Sequence, residues 1–115
     1  MPYLKLNTNV AIDDAQAPKL LSQLSQIVAQ ETGKPERYVM VEVNAEKAML
    51  FAGDRKPLAY LECKSIGLSA RQAKSLSAAL SPLLGTALAI PPDRIYIEFS
   101  HCPAQFWGWN GSTFG

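Results

Sequence analysis

The sequence predicts an α/β domain built from two βαβ units, with parallel strands inside each unit and both helices on one face of a four-stranded sheet. Three observations lead to this. The patterns run strand, helix, strand, and then strand, helix, strand again. The second strand of each half is introduced by proline, acid and arginine, as Pro35-Glu36-Arg37 and Pro92-Asp93-Arg94, and then carries an acid, Glu42 or Glu98, the two aligning after a one-residue shift. The 115 residues, 48% of them hydrophobic, are enough for one core and too few for two, so residues 1–115 form a single domain.

Taken in order, Tyr3 to Asn7 alternates Tyr3, Lys5 and Asn7 with Leu4 and Leu6, as in a strand whose faces meet different surroundings. Asp13 and Asp14 are cap candidates, and Pro18 falls near the first helical position. Leu20, Leu21, Leu24, Ile27 and Val28 then recur at helical spacing until Thr32-Gly33, where glycine suits a left-handed terminus. Tyr38 to Val43, apolar and β-branched with one charge, reads as a central strand. Gly53-Asp54-Arg55-Lys56-Pro57 is a turn between a short apolar run, Met49 to Ala52, and a strand from about Leu58 to Ser65, and the two runs would form a hairpin. Ser69 can cap a second helix with an apolar stripe of Leu76, Ala79, Leu80, Leu83, Leu84 and Leu88. Pro82 interrupts that stripe and predicts a kink or a helix in two pieces. Arg94 to Ser100 is the last long strand.

One sheet face is left without helices, and such a face invites association into a closed ring of copies. The end of the chain points the same way. Phe106, Trp107, Trp109 and Phe114 place four of the ten aromatic residues among the last ten positions, which fits a segment ordered by packing on the body or on a neighbouring subunit.

Composition excludes several classes of function. Lys and Arg total 11 against 10 Asp and Glu, scattered along the chain, so there is no electrostatic footprint for nucleic acid or an anionic membrane. Cys63 and Cys102 form no CxxC and have only His101 as a companion, short of a metal site or a disulfide framework. A Cys102-His101 nucleophile fails because neighbours in a strand point to opposite faces. The start of the chain lacks an apolar signal region, and no stretch approaches the roughly 18 apolar residues of a membrane span. The expectation is a soluble, cytoplasmic protein without a signal peptide, although export by a non-conventional route needs none.

Pro2 is the residue with the most chemical potential. Removal of Met1 would leave it as a secondary amine able to take up and return a proton, whereas proline nitrogen elsewhere in a chain has neither a hydrogen nor basicity. Six segments surround it in order: Met1-Pro2, Asn7-Thr8-Asn9, Thr32-Gly33-Lys34-Pro35, Ser65-Ile66-Gly67, Pro92-Asp93-Arg94 with Tyr96, and Gly108-Trp109-Asn110 with Ser112-Thr113-Phe114. With this set, nearly end to end, the chain resembles the tautomerases related to macrophage migration inhibitory factor and D-dopachrome tautomerase, and Tyr96 and the Gly-Trp-Asn tail match the former branch.

The resemblance implies the tautomerase fold, a mixed sheet under two antiparallel helices, with short extra strands used in trimer contacts. It also implies a homotrimer with an active site at each subunit interface. The reaction would be cofactor-independent keto-enol tautomerisation with processed Pro2 as catalytic base. Lys34 would hold the substrate carboxylate, and Ser65 and Ile66 would bind it, Ile66 through its backbone N–H. Tyr96 would reach the substrate from the adjacent subunit, Glu98 would stand at the far end of the pocket, and Tyr3, Tyr38, Trp107, Trp109 and Phe114 would line an aromatic pocket. Such a pocket favours aryl 2-oxo acids such as phenylpyruvate and 4-hydroxyphenylpyruvate.

The departures from the family pattern matter. Glu98 replaces an asparagine and, when ionised, can only accept hydrogen bonds, so a phenolic hydroxyl could donate to it while a carboxylate at that end is repelled, and dopachrome isomerase activity is less favoured than phenylpyruvate tautomerisation. Trp107 replaces a small aliphatic residue and narrows the pocket. Leu58 and Leu61 stand where the family has its CxxC, so no thiol-disulfide activity is expected. No metal or cofactor is implied. The alternative is a cytokine-like or ligand-binding protein with vestigial tautomerase activity, whose receptor contacts leave no readable signature.

Overall fold

A computed structural model describes residues 1–115. Six strands and two helices follow one another as β1 (Tyr3–Thr8), α1 (Gln16–Thr32), β2 (Met40–Asn44), β3 (Ala59–Ile66), α2 (Ala70–Leu88), β4 (Ile95–Cys102), β5 (Gly108–Trp109) and β6 (Ser112–Thr113). The main sheet has the order β2-β1-β3-β4. Strands β1 and β2 are parallel, β3 and β4 are parallel, and β1 meets β3 antiparallel at the centre. This is the mixed sheet of two βαβ repeats that the sequence predicts, and it is the tautomerase-type fold.

Tyr38 to Val43 is not a central strand. It begins at Met40, after a 3-10 turn at Glu36–Tyr38, and lies at the sheet edge. The opening strands of the two repeats take the centre, which puts both second strands outside. Val41 and Val43 pack toward the core while Met40 and Glu42 stay exposed, so the strand alternates and is not buried on both faces.

The expected hairpin is also absent. Ala52 and Gly53, both at positive φ, make a tight turn that closes only one bridge, Phe51 to Asp54. Strand β3 already has β1 on one side and β4 on the other, so it has no edge to offer Met49 to Ala52.

Helix α2 runs unbroken through Pro82 as 19 residues. Pro82 is on the exposed side, where water can satisfy the carbonyl that loses its partner. Ser69 caps the helix as expected, in a reciprocal box with Gln72: the Gln72 N–H donates to Ser69 Oγ at 3.1 Å and the Ser69 N–H to Gln72 Oε1 at 3.0 Å. At the start of α1, Asp13 Oδ1 accepts from the Gln16 N–H at 2.7 Å. Pro18 is the third helical residue, still inside the turn whose N–H groups lack intrahelical partners.

Two bonds tie the helices end to end. Gln16 Nε2 donates to the Ala87 carbonyl at 2.7 Å, and Gln72 Nε2 donates to the Thr32 carbonyl at 3.2 Å. The helices are therefore antiparallel. Their stripes, Leu20, Leu24 and Val28 from α1 and Leu76, Leu80, Leu84 and Leu88 from α2, close over Leu4, Leu6, Leu61 and Cys63 of the sheet. Burial pushes the Cys63 thiol up to about 11, which leaves it inert.

The echo between the halves is a structural repeat. Each second strand is preceded by an extended proline, Pro35 or Pro91, and one 3-10 turn. Matching Pro35 with Pro91, rather than with Pro92, removes the one-residue shift and makes Glu42 equivalent to Glu98. On the face without helices, Glu42, Lys5, Glu62 and Glu98 form one cross-strand row.

Candidate active site

Alternation along β1 turns Leu4, Leu6 and Thr8 toward the helices, and Pro2, one step before the strand, is buried on the same side. Strand β1 is pinned at its far end by the Asn7-Thr8-Asn9 segment. Thr8 Oγ1 donates to the Leu58 carbonyl at 2.7 Å, and Asn9 Oδ1 accepts the Leu58 N–H at 3.0 Å. At the near end the Met40 N–H donates to the Pro2 carbonyl at 3.0 Å. The β1–β3 ladder ends at Tyr3 opposite Lys64, so the next positions of β3, Ser65 and Ile66, run alongside Pro2 and Met1. Ser65 is buried with Pro2 on the helix-covered side.

Beside Pro2 lies a cavity of about 240 Å³, mostly apolar, walled by Tyr3, Tyr38, Trp107, Trp109 and Phe114, with Met1 at its inner end. The aromatic walls hold one another. The Trp109 and Phe114 rings stack at 5.4 Å with 12° between planes, and Tyr38 meets both edge-on at 5.7 and 6.0 Å. The hairpin of β5 and β6 makes this possible: Asn110 and Gly111, both at positive φ, form its two-residue turn, and the Phe114 N–H donates to the Trp107 carbonyl at 3.2 Å. That Asn-Gly pair is a strong hairpin signal in the sequence, and it is what brings Trp109 and Phe114 onto Tyr38. Trp109 is still 52% exposed and Phe106 81% exposed, so the body of one chain covers the tail only in part.

Lys34 follows the left-handed Gly33 that ends α1, and its backbone N–H donates to Thr32 Oγ1 at 3.4 Å. Its charge reaches the amine next to Pro2. Burial first, and Lys34 second, lower the Met1 amine from its ordinary value of 8.0. On the opposite wall the Tyr3 hydroxyl donates to the Glu42 carboxylate. That bond, followed by desolvation and the charges of Glu42 and Glu62, pushes Tyr3 up to about 12, and the same bond holds Glu42 below the usual carboxylate range.

Six of the sequence-predicted residues thus meet at one cavity: Pro2, Tyr3, Tyr38, Trp107, Trp109 and Phe114. Lys34, Ser65 and Ile66 are not among its lining residues. Tyr96 and Glu98 are elsewhere in the same chain, on the helix-free side of edge strand β4 and beyond β3 from β1. Tyr96 is not a core aromatic: it is 65% exposed and rests on the Phe51 ring at 4.7 Å. Arg37, Val39 and Met40 also line the cavity and were not predicted as site residues from the sequence. All three follow from the proline-led 3-10 turn, which delivers the Arg37-Tyr38 pair, Val39 and the first residue of β2 to the cavity.

A wider depression of about 390 Å³ is bordered by Lys5, Asn7, Glu42, Asn44 and Lys47 with Ala48 and Met49; it is shallow and mostly polar. No group of three or more His, Cys, Asp or Glu side chains gathers as a metal site, and no helix is long and apolar enough to cross a membrane.

Comparison with known proteins agrees with this fold. Residues 1–115 match the family model described as macrophage migration inhibitory factor (MIF). Macrophage migration inhibitory factor of Meriones unguiculatus is 43% identical over 116 aligned residues, covering 99% of this chain and 99% of that protein. The macrophage migration inhibitory factor homolog of Brugia malayi is 40% identical, with 100% of both covered. Among solved structures, the macrophage migration inhibitory factor homologue from Prochlorococcus marinus superposes with a TM-score of 0.92 at 40% identity, covering 98% of this chain and 99% of that one. The Toxoplasma gondii protein gives 0.91 at 32% identity over 97% and 99%.

Proposed function

The chain belongs to the macrophage migration inhibitory factor family, and from that premise we propose that it is a cofactor-independent keto-enol tautomerase of phenylpyruvate-type aryl 2-oxo acids, with Pro2 as general base once Met1 is removed. The observation that carries this reading is the burial of Pro2 beside an aromatic cavity, next to an amine whose basicity burial and Lys34 already lower. Loss of Met1 moves the amine one residue deeper, where the same two causes act on it. A base that is neutral near ambient pH is what abstraction of a carbon-bound proton needs.

The steps follow from that base. The neutral Pro2 nitrogen takes a proton from the carbon next to the ketone, and the electron pair moves through the new C=C bond onto the carbonyl oxygen. Lys34 and the Ile66 N–H hold the carboxylate end, and positive charge there steadies the enolate. Return of a proton to oxygen gives the enol, and the reverse sequence gives the ketone. The ring of the substrate lies among Tyr38, Trp109 and Phe114. Tyr96 and Glu98 enter from an adjacent copy, so the working form is a homotrimer. The exposed Tyr96 and the half-covered tail support that assembly, because each leaves apolar surface for a neighbour.

The test is enol–ketone conversion of phenylpyruvate by wild type and Pro2→Gly, with mass spectrometry of the N-terminus. Processed wild type converts substrate, and the variant loses about 100-fold or more in kcat/KM. A processed protein without activity overturns the reaction, and full activity with Met1 retained overturns the role of Pro2. A solution mass of a single 12.5 kDa chain overturns the shared site.

A further inference from the structure

The two arginines of the internal echo are used differently. Arg94 is committed to its own chain: Nε donates to the Pro57 carbonyl at 3.0 Å, Nη1 to Phe51 at 3.3 Å, and Nη2 to Asp54 at 3.1 Å and Lys56 at 3.0 Å. Arg37 has no such partners. The side-chain ion pairs of the chain are Lys56–Asp54 and Lys64–Glu62, and Arg37 takes part in neither.

Arg37 nevertheless has a defined place. Its guanidinium lies over the Tyr38 ring, 4.8 Å from the centroid, and it lines the cavity that holds Pro2. A guanidinium stacked on an aromatic face keeps its in-plane N–H donors free and aimed along the ring edge, which suits it to a planar carboxylate. The Tyr38 ring also fixes the side chain before a ligand arrives, so less conformational freedom is lost on binding. Lys34 lies three residues earlier, and both cations leave the same turn between α1 and β2. The segment between α1 and β2 therefore carries two positive groups, of which Arg37 lines the cavity, and on the tautomerase reading the 2-oxo acid carboxylate engages Lys34 and leaves Arg37 free.

We infer that Arg37 is a specificity-determining anion anchor, and that the site takes aryl 2-oxo acids bearing a second carboxylate on the ring. This rests on the tautomerase reading for its substrate class, while the anchoring itself rests on the cavity and the unpaired guanidinium. Glu98 does not oppose it: Arg37 belongs to the same chain as Pro2, and Glu98 arrives from the adjacent copy at the other end of the pocket. The probe of this anchor carries its second carboxylate at the meta ring position.

The experiment compares phenylpyruvate with 3-carboxyphenylpyruvate as substrates of wild type, Arg37→Met and Arg37→Lys. Arg37→Met raises KM for the dicarboxylate about tenfold, changes KM for phenylpyruvate less than about twofold, and leaves kcat for both in place; Arg37→Lys recovers part of the loss. The wild-type preference for the dicarboxylate weakens as salt rises, because the guanidinium is exposed. An equal change with both substrates, or an unchanged ratio, overturns the assignment.

A second arm does not depend on turnover. Trp107 and Trp109 are the chain's two tryptophans and both line the cavity, so intrinsic fluorescence reports binding there. Titration with the non-reacting 3-phenylpropionate and 3-(3-carboxyphenyl)propionate shows the same tenfold preference for the dicarboxylate, and Arg37→Met abolishes it. A wild type that converts neither substrate but keeps this preference refutes the tautomerase reading and upholds Arg37. Equal binding of the two probes by wild type refutes Arg37.

Discussion

The Met40 amide donates to the Pro2 carbonyl at 3.0 Å, which carries the β1–β2 ladder one residue beyond Tyr3 and fixes Pro2 from the backbone side. The main chain sets where Pro2 sits, and the surrounding side chains wall the cavity beside it. Those contributions can be varied one at a time.

Lys34→Met removes the positive charge felt at the chain's amine. That charge disfavours the ammonium form, so its removal raises the amine pKa. The rising limb of kcat/KM against pH, which reports the free base, then moves to higher pH, and activity at neutral pH falls. A limb that stays in place in the variant contradicts this role of Lys34, whatever happens to KM.

Glu42→Gln brings Tyr3 down from about 12 toward the ordinary value of 10.0, read as phenolate absorbance during alkaline titration. The sign for stability follows from the same pair. With Tyr3 raised in the folded state, its contribution is complete below pH 10 and is lost as pH rises through about 12. With Glu42 lowered, its contribution is present above the ordinary carboxyl value of 4.5 and is lost as pH falls through the lowered one. Denaturant midpoints of wild type and variant therefore differ most between pH 4.5 and pH 10, and the difference shrinks as pH falls through the lowered Glu42 value or rises through about 12.

Phe114→Ala removes the ring that stacks on Trp109 and meets Tyr38 edge-on. The tail hairpin keeps its Asn110-Gly111 turn, so the change is local. Trp emission shifts to the red, KM for phenylpyruvate rises about five- to tenfold, and stability falls by about 1 kcal/mol. Unchanged emission would mean that the stack does not form in solution.

Arg94→Met frees four carbonyls of the 51–57 segment at once and takes the guanidinium from the Phe51 ring. Because these bonds are partly exposed, the expected loss is about 2 kcal/mol, seen as a Tm lower by about 5–10 °C. Phe51 packs on Tyr96, so the same change loosens Tyr96 and lowers kcat/KM if Tyr96 serves a neighbouring site.

Much of this was legible in the sequence, for reasons that differ by element. Helices α1 and α2 were readable because their leucines recur every fourth residue and their ends carry Gly33 and Ser69, local signals that tertiary context did not override. Strand β1 was readable from its alternation. Strand order was not, because the runs Tyr38 to Val43 and Arg94 to Ser100 look the same at an edge as at a centre, and only pairing of β1 with β3 decides. The Met49 to Ala52 run looked like a hairpin arm because nothing in it records that β3 is already paired on both sides. In the site, Pro2 stood out by its place after Met1, where processing would leave a secondary amine, Lys34 and the aromatic pocket were found through the family resemblance, and Asn110-Gly111 explains why distant aromatics meet. Arg37 carried no signal of its own: its position depends on the stacking partner Tyr38, which sequence spacing alone does not reveal.

The repeat has a consequence for counting. Matching Met40 with Tyr96 makes Ala59 the counterpart of Pro2, and both are almost fully buried at the start of a central strand. Ala59 lies mid-chain after Leu58, so its nitrogen is permanently an amide. The repeat therefore has two such buried strand starts, and only the first stands near a chain start. The number of basic nitrogens in an assembly of these chains is set by its number of chain starts, and two chains joined head to tail would keep both folds and lose half of those nitrogens.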